Sequence, residues 1–498
     1  MSSRAIAQAL PKESTPVCPG LFYATPARDG IISRIRIPGG ILNSTQGHVV
    51  AEFAESFGEG YVHVTNRANL QIRQAEAILP SVLTTLQKAK LAAPRSEVDH
   101  LRNIMASPTA GIDALELMDT RTLVSELDAY ICEHPLEGLS PKFSVGFDGG
   151  GTVSVYQQKN EITFRAIALS GDWGLGTGDW GLVENNIYFH LILGKPTFIF
   201  LKPEQCISVV AALAQVYLDN VDKNLPRKPR LKHLLQDKGV EWYLKQAQSY
   251  LPFNLSKLSK STLTQNINAK SYHHIGVHPQ RQPGLSYIGI VLPLGQISSE
   301  QLHALGDLAS KYGSGTLRLT PWQNLLISDI PNSYILEVKA EIERLGLNWS
   351  ATDIHSALVA CTGKTGCASS ATDTKKHALT LSDYLKKHIT LDVPVTIHFS
   401  GCSKSCAHHG KSDITLLGTL VEKDGILVEG YQIYMGDGEP FGRSLNINIT
   451  NAELPEKIFR ILQLYQIKRT QPSESFGEFA NRYTIPQLRQ WMEGDRQC

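Results

Sequence analysis

Residues 34–72, RIRIPGGILNSTQGHVVAEFAESFGEGYVHVTNRANLQI, return later in the chain as residues 289–327, GIVLPLGQISSEQLHALGDLASKYGSGTLRLTPWQNLLI. A shift of 255 positions aligns the two stretches without a gap. The identical pairs include Pro38 and Pro293, Gly40 and Gly295, Gln46 and Gln301, Gly58 and Gly313, Thr65 and Thr320, and Asn69 and Asn324. Internal similarity at a fixed shift is the mark of a repeated structural unit. The sequence therefore predicts two fused copies of one fold.

Each copy has the pattern strand, helix, strand. In the first copy, residues 31–37 (IISRIRI) alternate in polarity and are rich in Ile, which favours a strand. Pro-Gly-Gly at 38–40 ends this strand. Residues 45–58 carry apolar side chains at helical spacing and stop at a glycine, and residues 61–73 (YVHVTNRANLQIR) return as a second strand. This order predicts a ferredoxin-like half with an antiparallel or mixed sheet.

A longer α/β segment follows each copy, so the predicted fold class is α+β. The predicted domains are a ferredoxin-like half at 18–85, an α/β segment at 90–270, a second ferredoxin-like half at 278–347 and a second α/β segment at 350–498. We expect the two halves and the two larger segments to surround one central site.

Composition and charge indicate an ordinary globular protein. The 498 residues carry a formal net charge of +1, so no bulk field draws the chain to nucleic acid or to a membrane. No stretch of about 18 apolar residues predicts a membrane span, and the first residues lack the apolar core of a signal peptide. Eight cysteines without such a signal favour the reducing cytosol. We therefore predict a cytoplasmic monomer with no nucleic-acid or membrane partner.

Four of the eight cysteines form two pairs near the C-terminus. Cys361 and Cys367 have five residues between them, and Cys402 and Cys406 have three. Zinc sites usually space their thiols by two to four residues, and redox pairs by two. Four thiolates from two loops suit a [4Fe–4S] cluster, which takes one sulfur ligand per iron. The spacing favours a cluster, with a zinc site or no metal as the alternatives.

The paired cysteines at the end of a duplicated chain resemble those of the nitrite and sulfite reductase superfamily. The segments TNRANLQIR (65–73) and LRNIMASPTAG (101–111) also have counterparts in that superfamily. The resemblance implies that the four cysteines hold a [4Fe–4S] cluster. It further implies that Cys406, the last of the four, bridges the cluster to the iron of siroheme.

Cationic and amide side chains gather in the first copy and in the segment after it. A siroheme-like macrocycle carries several carboxylates, which Arg binds bidentately and Lys binds as a point charge. Arg34 and Arg36 lie two residues apart on the predicted strand and so should share a face. The resemblance implies catalytic side chains at Arg36, Arg102 and Lys142, and tetrapyrrole ligands at Arg34, Arg67, Asn69, Gln71 and Arg73. The alternative is that these are solvated charges on strand edges.

The second copy lacks this cationic set. Its positions that match Arg67 and Arg73 hold Trp322 and Ser328. The sequence therefore predicts one active site per chain, built on the first copy.

Some positions depart from the reductase pattern and favour another branch of the superfamily. The second lysine of the reductases' Lys-x-Lys is Ser144 here, and Ser403 and Lys404 stand where the reductases often carry Pro and Asn. Several motifs resemble the precorrin-3B synthases of aerobic cobalamin biosynthesis, among them CPGL (18–21), FDGGG (147–151), ACTGKTGCAS (360–369) and SGCSKSCAHHG (400–410). That resemblance implies an oxygen-dependent monooxygenase that hydroxylates precorrin-3A at C20 and closes a γ-lactone.

This second resemblance implies its own cofactors and partners. The acidic tetrapyrrole and dioxygen would be the substrates, and the cluster would receive electrons from a ferredoxin or an NADH-dependent reductase. NADH is expected to be an indirect electron source, because the glycine-rich stretch 171–182 lacks the strand-and-helix context of a dinucleotide site. Activation of dioxygen would need a mononuclear non-haem iron, for which His408 and His409 are the candidate ligands. The alternative for both histidines is a surface or supporting role.

Two further functions stay open at this point. The first is a ferredoxin-dependent nitrite or sulfite reductase with bound siroheme, which the cysteine pattern supports and Ser144 opposes. The second is a non-catalytic protein that binds a cluster or zinc. Such a protein would not need the cationic set of the first copy.

Overall fold

The computed structural model describes residues 18–494, apart from 135, 137, 170–185, 223–224, 226–227 and 258–271. The glycine-rich stretch 171–182 and the predicted C-terminal end of the first α/β segment lie outside the described residues. Within the described part of the chain, no helix is long and apolar enough to cross a membrane.

The first ferredoxin-like half pairs short strands with one long helix. It contains β1 (Thr25–Ala27), β2 (Gly30–Ile35), β3 (Ile41–Asn43), α1 (Ser44–Phe57), β4 (Tyr61–Val64), β5 (Leu70–Gln74) and α2 (Pro80–Lys88). α1 begins in a capping box, in which the Asn43 and Gln46 side chains accept hydrogen bonds from each other's N–H groups at 2.8 and 3.0 Å. Val50 and Ala54 are fully buried and pack the helix on the sheet. The predicted helix at 45–58 is confirmed to within one residue at each end.

The predicted strand at 61–73 is instead a hairpin of β4 and β5. The turn closes through a hydrogen bond from the Thr65 N–H to the Asn69 carbonyl at 2.8 Å. The Thr65 hydroxyl oxygen accepts bonds from the N–H groups of Arg67 and Asn69 at 3.3 and 3.2 Å, and Ala68 takes a φ of 52°. The sequence pattern concealed this turn because TNRAN contains neither Gly nor Pro, the residues that most often mark one.

The first α/β segment is built on a six-stranded sheet. It contains α3 (Ser96–Asp99), β6 (Ile104–Ala106), α4 (Arg121–Glu133), β7 (Val145–Asp148), β8 (Ile162–Leu169), β9 (Asn186–Leu193), β10 (Lys195–Leu201), α5 (Cys206–Asn220), α6 (Leu231–Lys238), α7 (Val240–Gln248) and β11 (Ser256–Lys257). The strand order is β11-β10-β9-β8-β7-β6, in which β6, β7 and β8 are parallel and the remaining pairs antiparallel. Helices α4, α5 and α7 cover the sheet around Phe147, Phe164 and Phe189.

The second ferredoxin-like half repeats the first, and each half completes the sheet of the other. It contains β12 (Gly276–Pro279), β13 (Leu285–Ile290), β14 (Gln296–Ser298), α8 (Ser299–Tyr312), β15 (Thr316–Leu319), β16 (Leu325–Pro331) and α9 (Ile335–Arg344). β14 extends the first sheet, in the order β1-β2-β5-β4-β14, and β3 extends the second, in the order β12-β13-β16-β15-β3. Neither sheet is complete without a strand from the other half.

The exchange obeys a local two-fold relation. Its contacts come in pairs related by the 255-residue shift: Val62–Ile297 with Leu317–Leu42, and Gly60–Ser299 with Gly315–Ser44. Where α1 meets α8, the equivalent residues His48 and His303 stack with their Nδ1 atoms 2.7 Å apart. The prediction of two related ferredoxin-like halves is confirmed.

The second α/β segment has the topology of the first. It contains α10 (Ile354–Ala357), β17 (Leu358–Ala360), α11 (Thr374–His388), β18 (Ile397–Ser400), β19 (Ile414–Lys423), β20 (Ile426–Met435), β21 (Arg443–Thr450), α12 (Leu454–Lys468), α13 (Phe476–Arg482) and α14 (Ile485–Glu493). Its sheet runs β17-β18-β19-β20-β21, parallel across the first three strands and antiparallel across the rest. This is the order and polarity of β6-β7-β8-β9-β10.

The internal repeat extends into these larger segments, which the sequence analysis did not detect. A shift of 254 positions aligns residues 104–134 with 358–388 without a gap. At the C-terminal ends of α4 and α11, Tyr130 stacks on His134 and Tyr384 stacks on His388, with ring centroids 3.9 and 4.1 Å apart. The duplicated unit therefore comprises a ferredoxin-like half and the start of the α/β segment that follows it.

A buried asparagine makes the same hydrogen bond to the backbone in each copy, and its substitution tests how much this bond stabilises the fold. Asn324 is 7% exposed and its Oδ1 accepts the Leu292 N–H at 3.0 Å, as Asn69 does for the Ile37 N–H at 2.8 Å. Asn324→Ala leaves a buried N–H without its partner, so we expect the free energy of unfolding in urea to fall by about 1–3 kcal/mol. Leu336→Ala, at an exposed position, is the control. Equal stability of the two variants would contradict this role for the amide.

Candidate active site

The two cysteine pairs lie at the carboxyl ends of neighbouring strands. Cys361 directly follows β17, and Cys402 comes two residues after β18. Because β17 and β18 are parallel neighbours, both cysteine loops leave the sheet at the same edge. The Gly401 N–H points at the Cys361 sulfur at 3.2 Å. Gly363 takes a φ of +79°, which lets the Cys-x5-Cys loop turn back on itself.

The four thiols share one site. Burial raises the pKa of the Cys406 thiol, and the charges of Cys402, Cys361 and Cys367 raise it further. All four cysteines are free of disulfides. Among the described residues, no three His, Cys, Asp or Glu side chains converge on a position for a single metal ion. Four thiols within electrostatic reach of one another match the number of sulfur ligands that a [4Fe–4S] cluster takes, one for each iron.

Two polar residues that the sequence analysis missed hold the first cysteine loop. Glu429 on β20 accepts hydrogen bonds from the Lys364 ammonium and from the Asp373 N–H, both at 2.8 Å. Thr374, the first residue of α11, donates its hydroxyl to the Cys361 carbonyl at 2.7 Å. Nothing in the sequence places Glu429 near the loop. The start of a helical pattern soon after Cys367 could have pointed to Thr374.

Arg34 and Lys142 lie within electrostatic reach of Cys406. Arg34 donates to Gln71 Oε1 at 2.8 Å, so these two predicted ligands form one unit. Burial and the charge of Arg36 lower the pKa of Arg34 to about 10. The Arg34 Nε is buried without a hydrogen-bond partner in the described structure. An anionic ligand beside the thiols would satisfy this N–H.

Arg67 reaches the same region from the hairpin turn between β4 and β5. It donates to Asn160 Oδ1 at 2.6 Å and to a neighbouring carbonyl. Burial and the charge of Arg230 lower its pKa to about 10. The adjacent Asn66 donates to the Cys406 carbonyl at 2.9 Å. The turn thereby connects the first half to both α/β segments.

Arg36 and Arg102 line a separate cavity of about 300 Å³. Arg36 lies 3.7 Å from Asp99, and Arg102 makes two hydrogen bonds to the Asp128 carboxylate at 2.7 and 2.9 Å. The Nη1 atom of Arg102 is buried and has no hydrogen-bond partner within the described chain. The cavity is therefore suited to an anionic group.

The prediction that Arg34 and Arg36 share a face stays a prediction, and the charge of Arg36 does act on the Arg34 guanidinium. β2 ends at Ile35, and the two guanidinium groups have different partners. Arg36 and Arg102 line the cavity, whereas Lys142 lies with Arg34 near Cys406.

The two remaining predicted tetrapyrrole ligands are held by the protein itself. Arg73 pairs with Asp29 and donates to Thr362 Oγ1 at 3.2 Å, so it contacts the first cysteine loop. Asn69 is 2% exposed and fixes the turn after β2 through the Ile37 N–H. Their role towards a ligand stays a prediction.

His408 and His409 follow the second cysteine loop. His408 Nε2 lies 3.1 Å from the Lys411 carbonyl, and its ring lies 5.7 Å from that of His398. Since no group of three ligating side chains forms among the described residues, the structure gives no support to a mononuclear iron at these histidines.

In the second copy, the positions that match the predicted ligand-binding side chains are packed against other parts of the protein. The 255-residue shift places Gly289, Leu326 and Trp322 at the positions of Arg34, Gln71 and Arg67. A Cβ at Gly289 would lie 2.3 Å from the His274 carbonyl oxygen, so no side chain fits there. Trp322 stacks on the His274 ring at 4.3 Å.

In the first copy, polar side chains with partners inside the protein occupy the positions that match two of the thiols. Ser107 and Asp113 match Cys361 and Cys367 under the 254-residue shift. The Asp113 carboxylate accepts hydrogen bonds from the Thr152 N–H and hydroxyl at 2.7 and 2.6 Å. The cationic side chains thus lie in one copy and the four thiols in the other, and one site per chain stays a prediction.

Comparison with known proteins identifies the class to which this fold and site belong. Residues 25–89 and 278–345 match the family described as "Nitrite/Sulfite reductase ferredoxin-like half domain". Residues 97–255 match "Nitrite and sulphite reductase 4Fe-4S domain". The chain belongs to the nitrite/sulfite reductase family and is an oxidoreductase.

Several relatives that match most of the chain are named as reductases. The chain is 29% identical to the ferredoxin–nitrite reductase of Synechococcus elongatus, over 90% of this chain and 86% of that protein. It is 31% identical to the ferredoxin–nitrite reductase of Leptolyngbya laminosa, over 84% and 82%. It is 28% identical to sulfite reductase [ferredoxin] 2 of Mycolicibacterium paratuberculosis, over 92% and 83%. The structure of the Mycobacterium tuberculosis NirA protein shares the fold, with a TM-score of 0.76, 24% identity and coverage of 92% and 85%.

These relatives overturn the predicted main function. The prediction of a monooxygenase that converts precorrin-3A in cobalamin biosynthesis was wrong, because the relatives are named as nitrite and sulfite reductases. Dioxygen, an acidic tetrapyrrole as substrate, NADH and a non-haem iron lose their support with it. The short motifs at 18–21 and 400–410 therefore did not predict the function that the names of the relatives indicate.

Glu116, a buried carboxyl group in the first α/β segment, predicts how the stability of the protein depends on pH. Burial raises the pKa of Glu116 to about 8, from a usual value of 4.5. The folded state therefore keeps a proton that the unfolded state loses, and the free energy of unfolding should fall as pH rises from about 5 to 8. We expect Glu116→Gln to flatten this decline in urea unfolding at pH 5.5 and 8. Glu337→Gln, at an exposed position, should follow the wild type, and parallel curves for all three proteins would refute the assignment.

Proposed function

We propose that this chain is a ferredoxin-dependent reductase of a small oxyanion, with nitrite as the first candidate substrate. The observation that carries the proposal is that four thiols lie together beside half-buried Arg34, whose Nε–H has no hydrogen-bond partner in the described structure. Named ferredoxin–nitrite reductases match more than four fifths of the chain. Sulfite is the second candidate, because a sulfite reductase matches over 92% of the chain.

In this proposal Cys361, Cys367, Cys402 and Cys406 hold a [4Fe–4S] cluster. The loops bring the thiols to one sheet edge, and the Gly401 N–H supplies a hydrogen bond to sulfur of the kind that stabilises such clusters. Glu429 and Thr374 hold the first loop through their hydrogen bonds to its backbone and to the residue before α11. These contacts would hold the first cysteine loop in place around the cluster.

Siroheme would lie between Cys406 and the cationic side chains of the first half. Bound there, it would supply an iron with an open coordination position and would receive electrons through the cluster. Arg34, with its free Nε–H, and Arg67 offer charge-assisted hydrogen bonds to the macrocycle's carboxylates. Their crowding with Arg36 and Arg230, which lowers their pKa values, is relieved when an anionic ligand binds.

The same charges would serve the substrate. Nitrite and sulfite are anions, and their six-electron reduction consumes protons. Lys142 is exposed to solvent near Cys406 and can attract the anion and donate a proton. Ser144, the position that departs from the Lys-x-Lys pattern, is fully buried, and its hydroxyl accepts the Glu161 N–H at 3.2 Å. The anion would therefore meet one lysine at this segment.

The deciding experiment is anaerobic purification followed by an absorption spectrum, acid–acetone extraction and assays with reduced methyl viologen. We expect iron, sulfide, extractable siroheme and the formation of ammonium from nitrite. Faster formation of sulfide from sulfite would select the second candidate. A cluster without any extractable siroheme would overturn the proposal. Cys402→Ser should lose the cluster, whereas Cys132→Ser, a cysteine outside the four, should keep it.

Arg34 provides a sharper test of the tetrapyrrole site. Arg34→Met removes a charge-assisted partner worth about 1.5–3 kcal/mol, so siroheme should dissociate roughly 10- to 100-fold more readily. The measurement is siroheme per chain after dialysis, with cluster iron as an internal reference. Arg344→Met, on an exposed arginine of the second half, is the matched control. Full siroheme content in Arg34→Met would exclude a binding role for this side chain.

A further inference from the structure

A half-buried lysine lies beside the first cysteine loop, and no step of the proposed reaction uses it. Lys375 is the second residue of α11, and its Nζ lies 3.0 Å from Nδ1 of His63 on β4. The preceding Thr374 touches Cys361, with its hydroxyl 3.5 Å from the sulfur. The Lys375 ammonium is therefore within electrostatic reach of Cys361.

His63 fixes the position of this ammonium. Burial and the charges of Lys375 and Arg73 lower the pKa of His63 well below its usual value. The imidazole is thus neutral, and Nδ1 can accept the hydrogen bond that Lys375 donates. Burial and Arg73 lower the pKa of Lys375 to about 8, so the amine stays mostly protonated at neutral pH.

Among the described residues, no carboxylate forms an ion pair with Lys375. Its hydrogen-bond partner is an imidazole. Two carboxylates lie within electrostatic reach of Lys375: Asp29, which pairs with Arg73, and Glu59, which is exposed to solvent. A positive charge therefore remains beside the thiols.

The internal repeat shows what is particular to this lysine. Its equivalent under the 254-residue shift is Arg121, which Asp119 neutralises through hydrogen bonds at 2.7 and 3.0 Å. The equivalent of Asp119 is Asp373, whose carboxylate turns to the N-terminus of α11 and accepts the Lys376 N–H at 3.5 Å. The copy without thiols has a neutralised cation at this place, and the copy with thiols has one that is not.

We propose that Lys375, positioned by His63, raises the reduction potential of the [4Fe–4S] cluster. The inference rests on the proposed function, which places that cluster on Cys361 and its three partners. When one electron passes from reduced ferredoxin to the cluster, no bond forms or breaks and the cluster gains one negative charge. A fixed ammonium nearby stabilises that charge, and the buried setting strengthens the attraction.

The test is a redox titration of the purified holoenzyme, monitored by the EPR signal of the reduced cluster. Lys375→Met should make reduction at least tenfold less favourable, which corresponds to a shift of 59 mV to lower potential for one electron. Lys375→Arg keeps the charge and should stay near the wild type. Lys376→Met, the exposed neighbour on the same helix, is the matched control and should leave the potential unchanged.

Iron and sulfide contents separate the possible failures. An unchanged potential in Lys375→Met with full iron and sulfide overturns this inference and leaves the proposed function standing. A wild-type protein without iron, sulfide or an EPR signal overturns both. If Lys375→Met loses its cluster, Lys375→Gln and His63→Gln are titrated instead, and each should show a lower potential. Loss of the cluster in every one of these variants would assign Lys375 a structural role and refute the electrostatic one.

Discussion

The reciprocal exchange of β3 and β14 fixes the two halves of the molecule relative to each other, and the site depends on that constraint. An edge strand exposes unpaired N–H and C=O groups, and here each half satisfies an edge of the other. With the halves locked in this way, the hairpin turn between β4 and β5 faces the second cysteine loop, where Asn66 bonds the Cys406 carbonyl. Side chains from opposite ends of the chain can therefore meet at one place.

The two copies solve the same packing problem with different chemistry. Beside the four thiols, Arg34 and Arg67 are half-buried and have depressed pKa values, an arrangement that costs free energy until an anion is present. At the equivalent positions of the second half, Gly289 and the Trp322–His274 stack replace these charges with close packing. Asp113 likewise replaces a thiol with a carboxylate whose hydrogen bonds are satisfied by Thr152.

The sequence predicted the architecture well and the local geometry less well. The 255-residue repeat gave both ferredoxin-like halves, because glycines and capping residues such as Asn43 and Gln46 keep their spacing. It did not reveal the hairpin at residues 65–69, since a hydroxyl and a positive φ at Ala68 make that turn in the absence of Gly or Pro. The partners Glu429 and His63 were also missed, because contacts across the fold leave no trace in local spacing. The function was misjudged because a few short motifs were preferred to similarity over the whole chain.

The division of the site between the copies has an evolutionary consequence. In the present chain each copy carries only one of the two sets, the cations or the thiols. With Trp322 in place of a guanidinium and Ser107 in place of a thiol, several simultaneous substitutions would be needed to regain a second centre. The two copies therefore act as two different subunits joined in one chain. Neither copy can be lost or replaced by a second copy of the other.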